Sequence, residues 1–213
     1  MQTDDLIRSL AVDLAPVKRN MVGRRIAFGI LGGAVVTVVM IMLGLGIRPD
    51  LSTAILGSSF WMKWGYTISL GVGAIAATIQ LSRPDARRVR WPWLLLVPFG
   101  LLTILSAGEL IRTPRSEWMA LLQGESWRVC PLLVLLLSIP ILLGLLWSFR
   151  RLAPTSLRLA GAAAGLASGA SAATLYCLHC PEASATFVLV WYTLGMGLAA
   201  LVGTLIGPRF MRW

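Results

Sequence analysis

The sequence predicts an all-α polytopic membrane protein: a bundle of six transmembrane helices preceded by a short cytoplasmic amphipathic helix. Three observations predict it. The chain is 57% apolar and 13% charged, about half the charge of a soluble domain. Its mean hydropathy is +0.78. Its apolar residues gather into six runs, each near the roughly 20 residues that cross a hydrocarbon core. Little chain is left for a soluble domain, so residues 1–25 read as an arm and 26–213 as one membrane domain.

In the arm, Leu6, Ile7, Leu10, Leu14 and Val17 fall near helical spacing. Thr3 is an expected N-cap, and Asp4 and Asp5 in the first turn complement the helix dipole, while Pro16 limits the helix. So short a helix is marginal alone and needs a surface. A bilayer is one candidate. Asp4, Asp5 and Asp13 would be repelled by anionic lipid, so a protein groove with a basic rim suits the arm better.

The spans are expected at about 26–47, 60–82, 91–110, 129–149, 157–178 and 184–207. The first follows a polar arm and has no convincing small-x-small exit, so the N-terminus is expected to be retained rather than cleaved. Small residues recur every four positions in the second span (Gly65, Ser69, Gly73, Ala77), the fifth (Gly161, Gly165, Gly169, Ala173) and the sixth (Gly195, Ala199, Gly203, Gly207). Such stripes let helix backbones approach closely in lipid. No strand precedes these glycines, which argues against a nucleotide-binding loop. Pro92, Pro98, Pro131 and Pro140 are candidate kinks in spans three and four.

Charge sets the orientation. Fourteen Lys and Arg fall on one side: Arg8, Lys18, Arg19, Arg24 and Arg25 in the arm, Arg83, Arg87, Arg88 and Arg90 in the second loop, Arg150, Arg151 and Arg158 in the fourth, and Arg209 and Arg212 in the tail. The other side has only Arg48, Arg112, Arg115 and Arg128. The positive-inside rule places both termini on the cytoplasmic side of an inner-membrane-type bilayer. The net charge of +10 is therefore topological, and no off-membrane basic-aromatic stripe supports direct nucleic-acid binding. Lys63 lies near enough to a span end to snorkel. With no ionisable group deep in a span, proton- or ion-coupled transport is disfavoured.

The three cysteines converge on the outer side, with Cys130 opening span four and Cys177 and Cys180 ending span five. That compartment permits disulfides. A Cys130–Cys180 link would join two helices, whereas a Cys177–Cys180 link would stay within one segment. The string Cys177-Leu178-His179-Cys180-Pro181-Glu182 could also hold a soft metal or exchange thiols. Structural bridge, thiol sensor and redox centre all stay open on these residues alone.

Several strings in order along the whole chain resemble the NrsF family of six-span membrane anti-sigma factors. They are Thr3-Asp4-Asp5-Leu6-Ile7, Arg48-Pro49-Asp50-Leu51, Arg83-Pro84, Trp127-Arg128-Val129-Cys130, Arg150-Arg151-Leu152-Ala153-Pro154, Leu178-His179-Cys180-Pro181-Glu182 and Arg212-Trp213. The resemblance implies a negative regulator, not an enzyme, that holds an extracytoplasmic-function sigma factor at the membrane and needs no cofactor. It implies that Asp4 and Asp5 contact the sigma factor, with Leu6, Ile7 and Leu10 as apolar anchors. It implies that Cys130 and Cys180 sense oxidising or heavy-metal stress, with His179 and the additional Cys177 as secondary candidates. Two rivals are a quinone-linked membrane thiol oxidoreductase using Cys177 and Cys180, and a small transporter. The oxidoreductase lacks a second cysteine pair for an electron relay.

Overall fold

A computed structural model describes Thr3 and residues 21–82, 91–150, 152, 154 and 156–211. Asp4, Asp5, Leu6, Ile7 and Leu10 lie outside the described residues. Thr3 is helical and exposed.

The described residues form helices and turns without strands. The long helices are α1 (Met21–Leu45), α3 (Ser58–Leu81), α4 (Trp91–Arg112), α6 (Cys130–Phe149), α7 (Leu157–Tyr176) and α8 (Ala185–Phe210). The short α2 (Leu51–Ala54) and α5 (Trp118–Gln123) lie in the loops. Helix α1 is already helical at Met21, ahead of the expected residue 26. Its last turn, Ile41–Leu45, and the stretch Val188–Tyr192 of α8 are π-helical. Among the described residues, five helices are long and apolar enough to cross a membrane: α1, α3, α4, α6 and α8. The sixth expected span, α7, is 20 residues long, but its alanines, glycines and serines leave it less hydrophobic. It sits inside the bundle, with Ala160, Ala164, Ala167 and Ala170 fully buried. A helix enclosed by protein can do without the apolar surface that lipid demands of the others.

Small residues set the helix contacts. A Cβ at Gly161 would strike the backbone of Gly203, one at Gly203 would strike Gly161, and one at Gly165 would strike Ala199. The expected stripes of the fifth and sixth spans thus face each other across the α7–α8 contact. The stripe in the second span is split: Gly65 and Ser69 are exposed, whereas Gly73 and Ala77 are buried with Thr67, Gly71, Ala74 and Thr78, and Gly73 packs against Leu94 and Leu95 of α4. A third contact went unnoticed in the sequence. Gly29 of α1 meets Gly144 of α6, and Gly33 meets Ile141. Thr37 Oγ1 donates across the same seam to the Leu137 carbonyl at 2.9 Å.

Proline effects follow position. Pro131 occupies the first turn of α6, where its missing N–H costs nothing, whereas Pro98 and Pro140 lie inside α4 and α6. Outward faces are apolar throughout: Phe28, Leu31 and Val35 on α1, and Trp93, Val97 and Ile104 on α4, are exposed. A soluble protein does not show such a belt, and lipid suits it.

Candidate functional site at the cysteine end

The loops 46–57, 113–129 and 177–184 meet at one end of the bundle. The opposite end carries the root of α1, where Ser148 Oγ donates to the Arg25 carbonyl at 3.0 Å, and Arg150 lies over the Phe210 ring at 5.9 Å. Cysteines and arm root therefore mark opposite ends.

The string 178–182 is the centre of the cysteine end, and nearly every residue in it bonds to a different part of the chain. The Leu178 carbonyl accepts from the Arg48 backbone N–H at 3.2 Å. His179 Nδ1 lies 2.9 Å from the Gly46 carbonyl. The Cys180 carbonyl accepts from Arg48 Nη1 at 3.3 Å and Lys63 Nζ at 3.1 Å. The Glu182 carbonyl accepts from Lys63 Nζ at 2.5 Å. Its carboxylate accepts from the Glu125 and Ser126 N–H groups and from Ser126 Oγ at 2.8–3.1 Å. Glu182 thereby ties the string to the turn that opens α6, where the Ser126 carbonyl accepts the Cys130 N–H at 2.8 Å. Gly124 is required at that turn: its φ is +50°, and a side chain would meet the Glu182 carboxylate.

A second carboxylate works similarly. Glu109 Oε2 accepts from Ser184 Oγ, the Thr186 N–H and Thr186 Oγ1 at 2.8–2.9 Å. Ser184 in turn caps α8, accepting the Phe187 N–H at 3.2 Å.

All three cysteines are free thiols and fully buried. The structure brings together Cys130 and Cys180, whose thiols are within hydrogen-bonding reach of each other. Cys177 instead points its Sγ to the Ala173 carbonyl of its own helix, 3.2 Å away. Hydrogen bonding from Cys130 lowers the Cys180 thiol from its ordinary range, outweighing desolvation. At the rim, Arg48 grips Asp50 in a bidentate pair at 2.7 and 2.5 Å, and this hydrogen bonding holds the Asp50 carboxyl low.

His179 is committed to Gly46 rather than grouped with the thiols. Among the described residues, no cluster of three or more His, Cys, Asp or Glu side chains is arranged to hold a metal.

Lys63 corrects the sequence reading. It does not snorkel: it is 1% exposed and its ammonium is spent on the Cys180 and Glu182 carbonyls. The signal available was its position, the one lysine within an apolar run. Tyr192 was missed altogether. It is fully buried beside the thiols, and its hydroxyl is the one buried side-chain polar atom without a hydrogen-bond partner among the described residues.

Comparisons with known proteins find relatives along the whole chain. It is similar to the probable anti-sigma-F factor NrsF of Azospira oryzae, 41% identical over 213 residues and covering 100% of both chains. It is also similar to the anti-sigma-F factor NrsF of Caulobacter vibrioides, 40% identical over 215 residues and again 100% of both. No solved structure matches the chain. These relatives are regulators, and the chain is a regulatory protein rather than an enzyme, which removes the oxidoreductase rival. With a family model described as "Negative regulator of sigma F" matching residues 10–213 as well, the chain belongs to the NrsF family.

Proposed function

We propose that this chain is a membrane anti-sigma factor that crosses a bacterial inner membrane six times, holds an extracytoplasmic-function sigma factor with its cytoplasmic arm, and releases it when outer-face thiols react. The observation that carries the reading is the meeting of Cys130 and Cys180, on two different segments, at the end of the bundle opposite the arm. Family membership supports the sigma-factor partner, and the apolar belt supports the membrane. Counting α7 as the sixth span rests on its length: 20 residues make about 30 Å of helix, the thickness of the hydrocarbon core.

The arm would hold its partner through Asp4 and Asp5, with Leu6, Ile7 and Leu10 as anchors. Release is a population shift. A ten- to hundred-fold loss of affinity needs about 1.4–2.8 kcal/mol of differential binding, ordinary for allosteric coupling. Helix α6 offers a route, because Cys130 opens it and its Gly144 and Ile141 bear directly on α1. Helix α1 leads into the arm.

Two expected results test the reading. The Asp4→Ala Asp5→Ala double mutant should insert normally yet lose the sigma factor by at least about tenfold in pull-down, since charge-assisted contacts desolvated in the complex are lost. Retention equal to the parent protein removes the acidic pair from the contact. For topology, reporter fusions after residue 25, within 83–90, within 150–156 and at Trp213 should read cytoplasmic. Fusions near residues 55, 118 and 183 should read external. An external C-terminus sinks the six-span arrangement.

A further inference from the structure

Two groups around Cys180 lack the partner that their burial demands. Lys63 is a buried cation whose acceptors are neutral carbonyls. Among the described residues the one salt bridge is Arg48–Asp50; Asp50 is near enough to feel Lys63 but is committed to Arg48, so no carboxylate pairs directly with Lys63. Glu182 would be the natural counter-charge, but its carboxylate is turned to Glu125 and Ser126. A buried cation without an anion is costly. Tyr192, meanwhile, has a buried hydroxyl that faces the Cys177 and Cys180 sulfurs without a well-formed hydrogen bond to either. An orphaned hydroxyl is also costly. One missing anion at the Cys180 sulfur would satisfy both.

We infer that Cys180 rests as a thiolate, with Lys63 as its buried counter-cation and the Tyr192 hydroxyl and Cys130 thiol as its hydrogen-bond donors. Every element around Cys180 is consistent with this. Lys63 from α3 brings positive charge to its carbonyl, as does Arg48 from the loop after α1, whose own charge is paired with Asp50. Cys130 of α6 and Tyr192 of α8 supply neutral donors. Tyr176 at the end of α7 and Cys177 just beyond it are neutral neighbours, and the flanking His179 and Glu182 are engaged with Gly46 and with Glu125 and Ser126. The direction in which the Cys180 thiol is shifted agrees.

The assignment gives the two thiols different roles and rests on the reading of them as a sensor. The thiolate is the form that attacks an electrophile or binds a soft cation, so Cys180 is the first atom to react and Cys130, still protonated, is second. Lys63 and Tyr192 are positioning residues that set this asymmetry.

The infrared S–H stretch, which falls in a window clear of other protein bands, counts protonated thiols in the intact protein without any sigma factor. Cys180→Ser assigns its band. The parent protein should show S–H signal from Cys130 and Cys177 at neutral pH, with the Cys180 band emerging only on acidification. Tyr192→Phe removes only the orphaned hydroxyl and should raise the midpoint of that emergence by about one pH unit, a tenfold loss of thiolate. Lys63→Gln keeps a donor for the carbonyls but removes the charge, and should restore the Cys180 band at neutral pH. A parent protein with all three S–H bands at neutral pH overturns the inference, as does a missing band that both substitutions leave unchanged. A failure of Cys130→Ser or Cys180→Ser to block sigma-factor release would count against the sensor reading instead and leave the thiolate assignment intact.

Discussion

Cells carrying the Cys130→Ser or the Cys180→Ser protein should keep the sigma factor bound through an oxidant or soft-metal challenge that releases it from the parent protein. The expected effect is loss of the whole response, whereas Cys177→Ser should keep most of it. The reason is where each sulfur points. Cys130 opens α6 and Cys180 sits in the loop beyond α7, with their thiols in reach of each other. A covalent link or shared metal there would pull on two segments. Cys177 is bonded back to Ala173, one turn earlier in its own helix. A reaction at Cys177 adds bulk to a buried site without joining segments. The measurement is mass spectrometry of alkylated protein before and after stress, read beside sigma-factor retention. If only Cys177 changes state, or if the Cys130→Ser Cys180→Ser double mutant still releases the sigma factor, the thiols are structural.

The second large effect concerns the glycines. Gly203→Leu should destabilise the folded bundle by at least about 3 kcal/mol, because the new side chain would occupy the space now filled by the Gly161 backbone and neither helix can yield without separating. Gly197→Leu, on the same helix but with nothing within 4 Å of the added Cβ, should be tolerated. Gly65→Leu should be tolerated for the same reason. Thermal unfolding in one detergent, with all three variants side by side, checks this. Equal midpoints for the Gly203 and Gly197 variants would mean that the α7–α8 contact does not hold the bundle together.

The same glycines show how far the sequence reads. A four-residue stripe of small residues says that a helix has a face allowing close approach, but not whether another helix uses it. Gly161 and Gly203 do meet. Gly65 and Ser69 carry the same pattern and face outward, because α3 turns Thr67, Gly71 and Ala74 to the bundle instead. The Gly29–Gly144 contact pairs two helices about 115 residues apart in sequence; α1 carries small residues at four-residue spacing in Gly29, Gly33 and Thr37, but α6 answers with only Gly144 and Ser148, so no matching stripe marks the partner.

The sequence by itself determined the helical class, the positions of the long helices to within a few residues, and the convergence of the cysteines at one end. Each follows from a one-dimensional rule: the length of an apolar run fixes a helix, and the parity of crossings fixes which loops share a side. It also marked the string 178–182, although not its work. Tertiary structure alone decided that Cys180 lies in reach of Cys130 while Cys177 turns away, that Lys63 is buried instead of snorkelling, and that the Tyr192 hydroxyl stands unpartnered among thiols. These depend on the rotation of each helix about its axis and on the path of the loop 177–184. Hydrophobicity sets rotation weakly here, since lipid and bundle interior are equally apolar, so close packing of small residues and a few buried polar contacts choose the face.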